Sequence, residues 1–392
     1  MKGISFLMSV VLLLTGGVLS VWASDGAGDG SLDVSVEDQL GMELDCISAI
    51  LMDGATGTVF FEKNADEALP PASVTKIMTL LLVMEAIEEG KIRLSDMVST
   101  SEHAASMGGS QVYLKIGEEM SVEELIKCVV IASANDAALA LAEHVAGSEE
   151  AFVERMNARA AELGMKTARF ENTNGLDDTA ENHVLSARDI AIMSRELIQH
   201  EKILEYSSIW MDTVRDGAFG LTNTNRLVRF YKDATGLKTG STAKAKFCIS
   251  ATAKRNGMHL VCVVMGAETR DSRNAIATKL LDYGFANYAI FQAKQQKLPE
   301  MRVTGGVENT CAISYDSFSC AVKKGEEGRV TSSLEIKDSI AAPVKKGTVV
   351  GKVTYTLEGK EIGSVDVVTT EEIDKIGYFG LLLRMIAGII MK

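Results

Sequence analysis

The sequence predicts an α+β fold in which an antiparallel sheet carries helices on both faces and a small all-β domain follows. Within residues 41–296, strand-like segments come first and last, with helical periodicity between them. The pair Asn256-Gly257 separates two apolar runs, which is the strongest short-range signal for a hairpin. Beyond residue 296, short β-branched runs alternate with turns that contain Gly and Lys.

The length and composition indicate a globular protein of more than one domain. A chain of 392 residues exceeds one ordinary domain, and 46% hydrophobic with 24% charged residues is typical of a folded core. The formal net charge of −13 argues against a nucleic-acid partner, because no basic excess exists to neutralise phosphates.

The first 23 residues read as a secretory signal peptide. Lys2 precedes an apolar run over residues 4–21, and Val21-Trp22-Ala23 supplies a small-residue cleavage pattern. An uncleaved N-terminal anchor is the alternative. Either reading predicts an exported protein whose body lies outside the cytoplasm. The acidic, Gly-rich residues 24–40 are expected to form a linker.

Periodicity and turn residues place the elements of the predicted catalytic domain, 41–296. A hairpin is expected first, then helices, then a second hairpin and a final amphipathic helix. The predicted strands are Ile47–Asp53, Thr58–Lys63, Phe247–Arg255 and Met258–Gly266, and the predicted helical regions are Ser73–Glu89, Ser121–Gly147 with a break at Ser133–Asp136, Ser186–Gln199 and Arg273–Tyr288.

The C-terminal part is expected to hold an all-β domain, 297–370, and a helix, 371–392. Strands are predicted near Gly328–Ile336, Thr348–Leu357 and Ile362–Thr369. The apolar run Tyr378–Met391 is shorter than the roughly 20 residues that span a bilayer. An amphipathic helix lying on a membrane surface fits it better. The alternative is a helix packed on the β domain.

The cysteines and histidines do not indicate a metal site, and no cofactor is expected. The six cysteines show no C-x-x-C or Cys/His ligand spacing. Cys311 and Cys320 are spaced to meet across a hairpin, and the sequence leaves that pairing open. None of the five histidines has the spacing of a catalytic triad or a metal ligand set.

Three short motifs carry the chemistry: Ser73-Val-Thr-Lys76, Ser133-Ala-Asn135 and Lys238-Thr-Gly240. Each is weak alone, since a chain of this size holds roughly one or two S-x-x-K matches by chance. Ser241–Lys244 is indeed a second match, and Ser272–Asn274 repeats the S-x-N pattern. Context favours the first copies, because Ser73 opens a helix after a Pro-marked loop.

A serine and a lysine three residues apart on a helix suit nucleophilic catalysis. A serine hydroxyl is a poor nucleophile until a base lies against it, and positions i and i+3 share one helix face. A free lysine titrates near 10.4, so the pKa of Lys76 must fall to about 7 before the amine can act as that base. Burial and a neighbouring cation lower a lysine pKa, and Lys238 is the candidate cation.

In this order and spread, the motifs resemble those of the penicillin-binding protein and serine β-lactamase superfamily. More narrowly, the chain resembles the D-alanyl-D-alanine carboxypeptidases, the low-molecular-mass penicillin-binding proteins. The signal peptide, the all-β domain and the amphipathic tail are also similar. The supporting stretches are Asp53-Gly-Ala-Thr-Gly57, Pro71-Ala-Ser-Val-Thr-Lys76, Ser133-Ala-Asn-Asp-Ala137, Ser186-Ala-Arg-Asp189, Thr222-Asn-Thr-Asn225 and Gly236-Leu-Lys-Thr-Gly240.

The resemblance implies catalytic roles for five residues. Ser73 would attack the penultimate D-alanine carbonyl while Lys76 takes its proton. Ser133 would relay a proton toward the leaving D-alanine amine. Asn135 would hold Lys76 and the substrate amide, and Lys238 would supply electrostatic support.

The same resemblance implies a substrate-binding set that includes Lys238, Thr239 and Gly240. Thr239 would bind the terminal carboxylate, with Arg273 behind it and Arg270 as the near competitor. The backbone N–H groups of Ser73 and Ser241 would form the oxyanion hole. Many relatives carry histidine where Ser241 stands, so substrate preference, rather than catalysis, is expected to differ.

The implied function is removal of the terminal D-alanine from peptidoglycan pentapeptides through an acyl-enzyme on Ser73, with β-lactams as inhibitors. Peptidoglycan stem peptides and the membrane surface are the expected partners. Three alternatives remain. A β-lactamase is disfavoured because no Glu-x-x-Leu-Asn segment lies between Ala140 and Lys238. A non-catalytic protein that binds β-lactams or cell wall, and an endopeptidase of the same superfamily, are the others.

Overall fold

The structure is a computed structural model that describes residues 44–177 and 180–390. The predicted signal peptide, 1–23, and linker, 24–40, lie outside the described residues. The strands are β1 Ser48–Asp53, β2 Val59–Lys63, β3 Met97–Ser99, β4 Glu119–Ser121, β5 Met211–Val214, β6 Phe219–Thr222, β7 Ala234–Thr242, β8 Lys246–Arg255, β9 Met258–Ala267, β10 Tyr288–Gln292, β11 Met301–Thr304, β12 Thr310–Cys311, β13 Ile313–Ser314, β14 Ser319–Lys323, β15 Val330–Ile336, β16 Ile340–Ala341, β17 Val349–Leu357 and β18 Lys360–Thr369. The helices are α1 Lys76–Glu88, α2 Glu102–Ala105, α3 Val122–Ile131, α4 Asn135–Ala146, α5 Glu149–Glu162, α6 Ala187–Leu197, α7 Glu201–Ser207, α8 Leu227–Phe230, α9 Arg270–Asn287 and α10 Tyr378–Ile390.

A five-stranded antiparallel sheet, in the order β2-β1-β9-β8-β7, forms the centre of the larger domain. The predicted hairpin is β8–β9, and both turn residues, Asn256 and Gly257, have positive φ, of 50° and 83°. Positive φ at both central positions matches the twist of the flanking strands, which is why Asn-Gly marks such turns. The first and last hairpins of the domain therefore lie side by side, as β1 pairs with β9.

Both faces of this sheet are covered by helices, which confirms the predicted fold class. Along β9, Val261, Val263 and Met265 face the core that contains α1, α3, α4 and α6. The alternate residues Leu260, Cys262 and Val264 face the core that contains α9. Because successive strand side chains point to opposite faces, one apolar strand fills two cores.

Helix α1 lies inside the first core, and its entry turn carries the predicted nucleophile. The predicted helix begins at Ser73, but in the structure Ala72–Thr75 is a 3-10 turn and the α-helix begins at Lys76. Ala72 has φ 49°, a left-handed conformation in which an α-helix cannot start. Ser73 nevertheless stands at the helix entrance, as predicted.

The second domain contains strands in three small sheets: β13-β18-β17-β15, β12-β11-β16 and β10-β14. Strand β10 precedes the predicted boundary at residue 296, yet it pairs with β14 beyond it. The two larger sheets of this domain lie wholly after that boundary, which itself stays a prediction. Cys311 and Cys320 are buried in this domain and both carry free thiols, so the disulfide that the sequence left open does not join them.

The tail helix α10 exposes its large apolar side chains. Tyr378, Phe379 and Leu383 have exposed fractions of 76%, 78% and 68%. Arg384 donates to the carbonyl oxygens of Gly306 and Val307 at 3.1 and 2.6 Å and thereby ties the helix to the β domain. In the described part of the chain, no helix combines the length and apolar character needed to cross a bilayer.

Candidate active site

The three motifs converge on one cavity of about 180 Å³ between α1, α4 and β7. Each comes from a different element: the 3-10 turn before α1, the α3–α4 junction and the edge strand β7. Six of the residues singled out in the sequence line it, together with Arg270, the near competitor of Arg273. The described lining residues are Ser73, Ser110, Ser133, Thr224, Thr239, Gly240, Ser241, Arg270 and Arg273.

Strand β7 approaches the nucleophile turn so closely that only glycine fits at the contact. A Cβ added to Gly240 would lie 2.9 Å from both the Pro71 carbonyl oxygen and the Ser73 backbone nitrogen. Real Cβ contacts are longer, so any side chain there would push the strand away. The third motif therefore has glycine after Lys238 and Thr239 because the Ser73 N–H lies against that position.

Lys76 lies within reach of the half-buried Ser73 and is itself wholly buried. Its Nζ is 3.0 Å from the Ser73 Oγ and donates to the Asn174 carbonyl oxygen, also at 3.0 Å. Burial, and then the charge of Lys238, hold the pKa of Lys76 well below its usual range, while Asp136 acts in the opposite direction. A neutral amine in this position can take the Ser73 proton.

Lys238 is buried as well and faces the second motif. Its Nζ donates to Ser133 Oγ at 2.7 Å and to the Thr239 carbonyl oxygen at 3.0 Å. Burial, and then the charge of Arg273, lower the pKa of Lys238 to about 7. The pKa of each lysine is therefore lowered, and Lys76, the one beside Ser73, is placed to act as a base.

Asn135 does not contact Lys76 as the resemblance implied. Its Nδ2 donates to the Gly108 carbonyl oxygen at 2.7 Å, and its buried Oδ1 has no hydrogen-bond donor among the described residues. Among the described residues, the Lys76 amine bonds Ser73 and Asn174. The hydrogen bond from Asn135 to Lys76 that the resemblance implied is therefore absent among the described residues, since the Asn135 Nδ2 donates to the Gly108 loop, and a role toward the substrate amide stays a prediction.

The Asn174 carbonyl belongs to a loop, Asn172–Leu176, that the sequence reasoning missed. The Asn172 Oδ1 accepts hydrogen bonds from the N–H groups of Asn174 and Gly175, at 3.3 and 2.7 Å. The Thr79 hydroxyl of α1 donates to the Thr173 carbonyl oxygen at 2.6 Å. The pair Asn174-Gly175 is a recognisable turn signal in the sequence. Its place beside Ser73, however, depends on contacts between residues that are 94 and 98 positions apart in the chain.

The far end of the cavity is basic and rich in hydroxyl groups. Arg273 is 2% exposed, and burial, followed by the charge of Arg270, lowers its pKa to about 10. Thr239 Oγ1 donates to Thr224 Oγ1 at 2.9 Å. The sequence analysis includes Thr224 only within the stretch Thr222–Asn225 and predicts no role for Ser110. Two guanidinium groups beside two hydroxyls suit a carboxylate ligand.

The second motif also fixes the wall that carries Ser110. Asp136 is buried and accepts hydrogen bonds from the N–H groups of Val112 and Leu114 at 3.1 and 3.0 Å. The Asn135 N–H donates to the Ser110 carbonyl oxygen at 2.7 Å. The N-terminus of α4 therefore shapes the cavity through backbone contacts in addition to supplying Ser133.

The competing motif copies have no comparable surroundings. Lys244 is exposed, and Ser272 is a half-buried residue of the capping box that bonds Thr269 at the start of α9. Within the described residues, no group of three or more His, Cys, Asp or Glu side chains is arranged to hold a metal ion.

Comparisons with known proteins agree over most of the chain. A family model described as D-alanyl-D-alanine carboxypeptidase matches residues 34–269, and the model for the C-terminal domain of penicillin-binding protein 5 matches 285–375. The D-alanyl-D-alanine carboxypeptidase DacF of Bacillus subtilis is 44% identical over 86% of this chain and 88% of its own length. DacC of Escherichia coli is 36% identical, over 86% of each chain.

Solved structures of penicillin-binding proteins share the fold. Penicillin-binding protein 5 from Haemophilus influenzae has a TM-score of 0.73 at 32% identity, covering 85% of this chain and 98% of its own. The peptidoglycan synthesis regulatory factor PBP3 from Streptococcus pneumoniae has a TM-score of 0.72 at 30% identity, covering 85% and 100%.

The contact between Gly175 and the nucleophile turn predicts a large effect of Gly175→Ala. The new Cβ would lie 1.9 Å from the Ala72 carbonyl oxygen, so the loop or the turn must move. Gly164→Ala is the matched control, since Gly164 also has positive φ, 72° against 82°, but a Cβ added there meets no atom of the described residues within 4 Å. We expect Gly175→Ala to lower the free energy of unfolding by about 1–3 kcal/mol more than the control, measured by urea denaturation. Equal losses would show that the contact is not tight.

Proposed function

We propose how the reaction is divided among the cavity residues of this chain, which belongs to the D-alanyl-D-alanine carboxypeptidase family of serine peptidases. Its activity is that of a serine-type carboxypeptidase acting on a D-alanyl-D-alanine terminus. One observation carries the assignment of residues: Ser73 Oγ lies 3.0 Å from a wholly buried lysine amine whose pKa is held low by burial.

In the proposed acylation step, Lys76 takes the hydroxyl proton while Ser73 Oγ bonds to the penultimate D-alanine carbonyl carbon. The negative oxygen of the tetrahedral intermediate is stabilised by the N–H groups of Ser73 and Ser241, which the approach of Gly240 brings together. The proton taken by Lys76 passes by way of Ser133 to the leaving nitrogen, while Lys238, 2.7 Å from Ser133 Oγ, keeps its own proton and supplies electrostatic support. The C–N bond then breaks and D-alanine leaves.

The basic end of the cavity selects the substrate in this proposal. Thr239, Arg273 and Arg270 bind the carboxylate of the terminal D-alanine, since the hydroxyl and guanidinium groups face the same space. Peptidoglycan stem pentapeptides present that carboxylate one peptide bond from the scissile carbonyl. The same distance suits the carboxylate and the strained amide of a β-lactam, which would acylate Ser73 and keep its leaving group attached.

Deacylation follows by the reverse roles. The described lining residues include no carboxylate, so no acidic side chain is placed to activate the hydrolytic water. Lys76, again neutral after the first step, is the group left to take the water proton.

We also propose that the protein is exported and lies at the outer face of the cytoplasmic membrane. The exposed apolar residues of α10, such as Phe379 and Leu383, fit burial in the boundary between headgroups and acyl chains. Arg384 holds the helix against the β domain, so a membrane-bound tail would carry the whole chain.

The nucleophile assignment predicts a penicillin adduct on Ser73. Protein from residue 24 onward should gain the mass of penicillin on the peptide that contains Ser73 and should release D-alanine from a muramyl pentapeptide. Ser73→Ala should lose both activities. Lys76→Arg should slow acylation by about 10²- to 10⁴-fold despite keeping the charge, because arginine cannot be deprotonated. An adduct on another residue would contradict the assignment.

The two lysine pKa values predict a bell-shaped pH dependence of acylation. Lys76 must be neutral, so the rate rises as pH exceeds its lowered pKa. Lys238 must be protonated to stabilise the reaction electrostatically, so this contribution is present below its pKa of about 7 and is lost above it. Lys238→Arg should move the alkaline limb to higher pH, since arginine keeps its charge. Exposed Lys244→Arg is the control, and a limb unchanged by Lys238→Arg would remove Lys238 from this role.

The tail assignment predicts that membrane binding depends on the exposed apolar face of α10. Phe379→Ser with Leu383→Ser should lower co-sedimentation with anionic lipid vesicles by about tenfold or more, because each apolar side chain contributes about 1.5–3 kcal/mol on full burial. Leu334→Ser, which removes an apolar residue exposed at 37% on β15, is the control. Equal binding of both variants would refute the anchor.

A further inference from the structure

His183 is buried beside the nucleophile turn, and the proposed reaction gives it no part. We propose that His183 is a positioning residue, which donates a hydrogen bond from Nε2 to the Thr75 hydroxyl and thereby holds the turn that presents Ser73. This inference rests on the proposed role of Ser73 as the nucleophile. Thr75 lies between Ser73 and Lys76, so any shift of its side chain acts on both.

The hydrogen bonds of the imidazole settle which nitrogen carries the proton. The Glu171 backbone N–H donates to Nδ1 at 3.2 Å, so Nδ1 must be an acceptor. In a neutral ring the proton is then on Nε2, which lies 2.9 Å from Thr75 Oγ1. The ring therefore has a fixed hydrogen-bond polarity: Nδ1 accepts a hydrogen bond from the Glu171 backbone N–H, and Nε2 donates one to the Thr75 hydroxyl.

The surroundings of His183 keep that polarity constant. The ring is 7% exposed and lies edge-on to Phe170, with ring centroids 5.7 Å apart. Burial lowers the pKa of His183 to about 4, although Glu171 and Asp177 act in the opposite direction. The ring is thus uncharged at neutral pH.

The hydrogen bond continues from Thr75 to the backbone in front of the nucleophile. Thr75 Oγ1 donates to the Ala72 carbonyl oxygen at 2.8 Å. Ala72 has φ 49°, which costs a residue with a Cβ about 1–2 kcal/mol. Such a conformation persists only where neighbours hold it, and here His183 on one side and Gly175 on the other enclose the Ala72–Thr75 bond.

Loss of the His183 donor should therefore act on chemistry more than on binding. The Thr75 hydroxyl would be free to rotate, and the turn could relax from the φ that aims Ser73 Oγ into the cavity. Ligand contacts at Thr239 and Arg273 come from other elements and are untouched. A displacement of about 1 Å at a reacting atom can lower a rate by about 10²-fold.

The test measures penicillin acylation by stopped flow with a fluorescent penicillin, separating the acylation rate constant from the dissociation constant of the initial complex. His183→Leu and Thr75→Val remove one partner each and should lower the rate constant by about 10- to 100-fold, with the dissociation constant within about twofold. His183→Gln and Thr75→Ser retain a donor or a hydroxyl and should stay within about threefold of wild type. The double variant should be no slower than the slower single variant, because the two residues act through one bond.

The matched control is His259, a second histidine whose Nε2 lies 2.9 Å from a threonine hydroxyl, that of Thr235, away from the cavity. His259→Leu should lower the melting temperature without lowering the acylation rate constant. If His183→Leu fails to fold, Thr75→Val and His183→Gln carry the same comparison.

Wild-type rates in folded His183→Leu and Thr75→Val would overturn this inference alone. So would a dissociation constant that rises in step with a fall in rate. Absence of a Ser73 adduct in the wild-type protein would instead overturn the proposed nucleophile, and this inference with it.

Discussion

The chemistry of this protein depends on the burial of two lysines in one cavity. Burial lowers the pKa of both ammonium groups, and a neighbouring cation, Lys238 for Lys76 and Arg273 for Lys238, lowers it further. A lysine beside Ser73 can thereby act as a base in a cavity whose described lining residues include no histidine or carboxylate. The packing of the site excludes water from Lys76 and Lys238. It also holds the Lys76 amine 3.0 Å from Ser73 Oγ and the Lys238 amine 2.7 Å from Ser133 Oγ.

The fold achieves this by bringing rigid elements into contact at points without side chains. Gly240 lets the edge strand β7 touch the nucleophile turn, and Gly175 lets a loop touch it from the other side. Helix α1 fixes the turn from within the core, since its residues from Lys76 to Leu81 are all buried. The turn that carries Ser73 and precedes Lys76 is therefore held by close backbone packing on both sides.

Local patterns were sufficient for the sheet, the hairpin at Asn256-Gly257 and the helices on both faces, because periodicity and turn chemistry act between near neighbours. The motifs also predicted that the charge of Lys238 lowers the pKa of Lys76. Local patterns did not predict the 3-10 turn at Ala72, the hydrogen bond from Lys76 to the Asn174 carbonyl oxygen or the place of the Thr224 hydroxyl in the cavity wall. These depend on which distant segments meet, as for Thr75 and His183, which are 108 residues apart.

The acceptor that fixes the Lys76 amine is a main-chain carbonyl, and every amino acid has one. Sequence drift at position 174 can change the side chain without removing the contact, whereas position 175 admits only glycine. An essential atom of the site is thus invisible to any comparison of side chains between relatives. Its only trace in a set of diverging sequences would be the glycine that follows it.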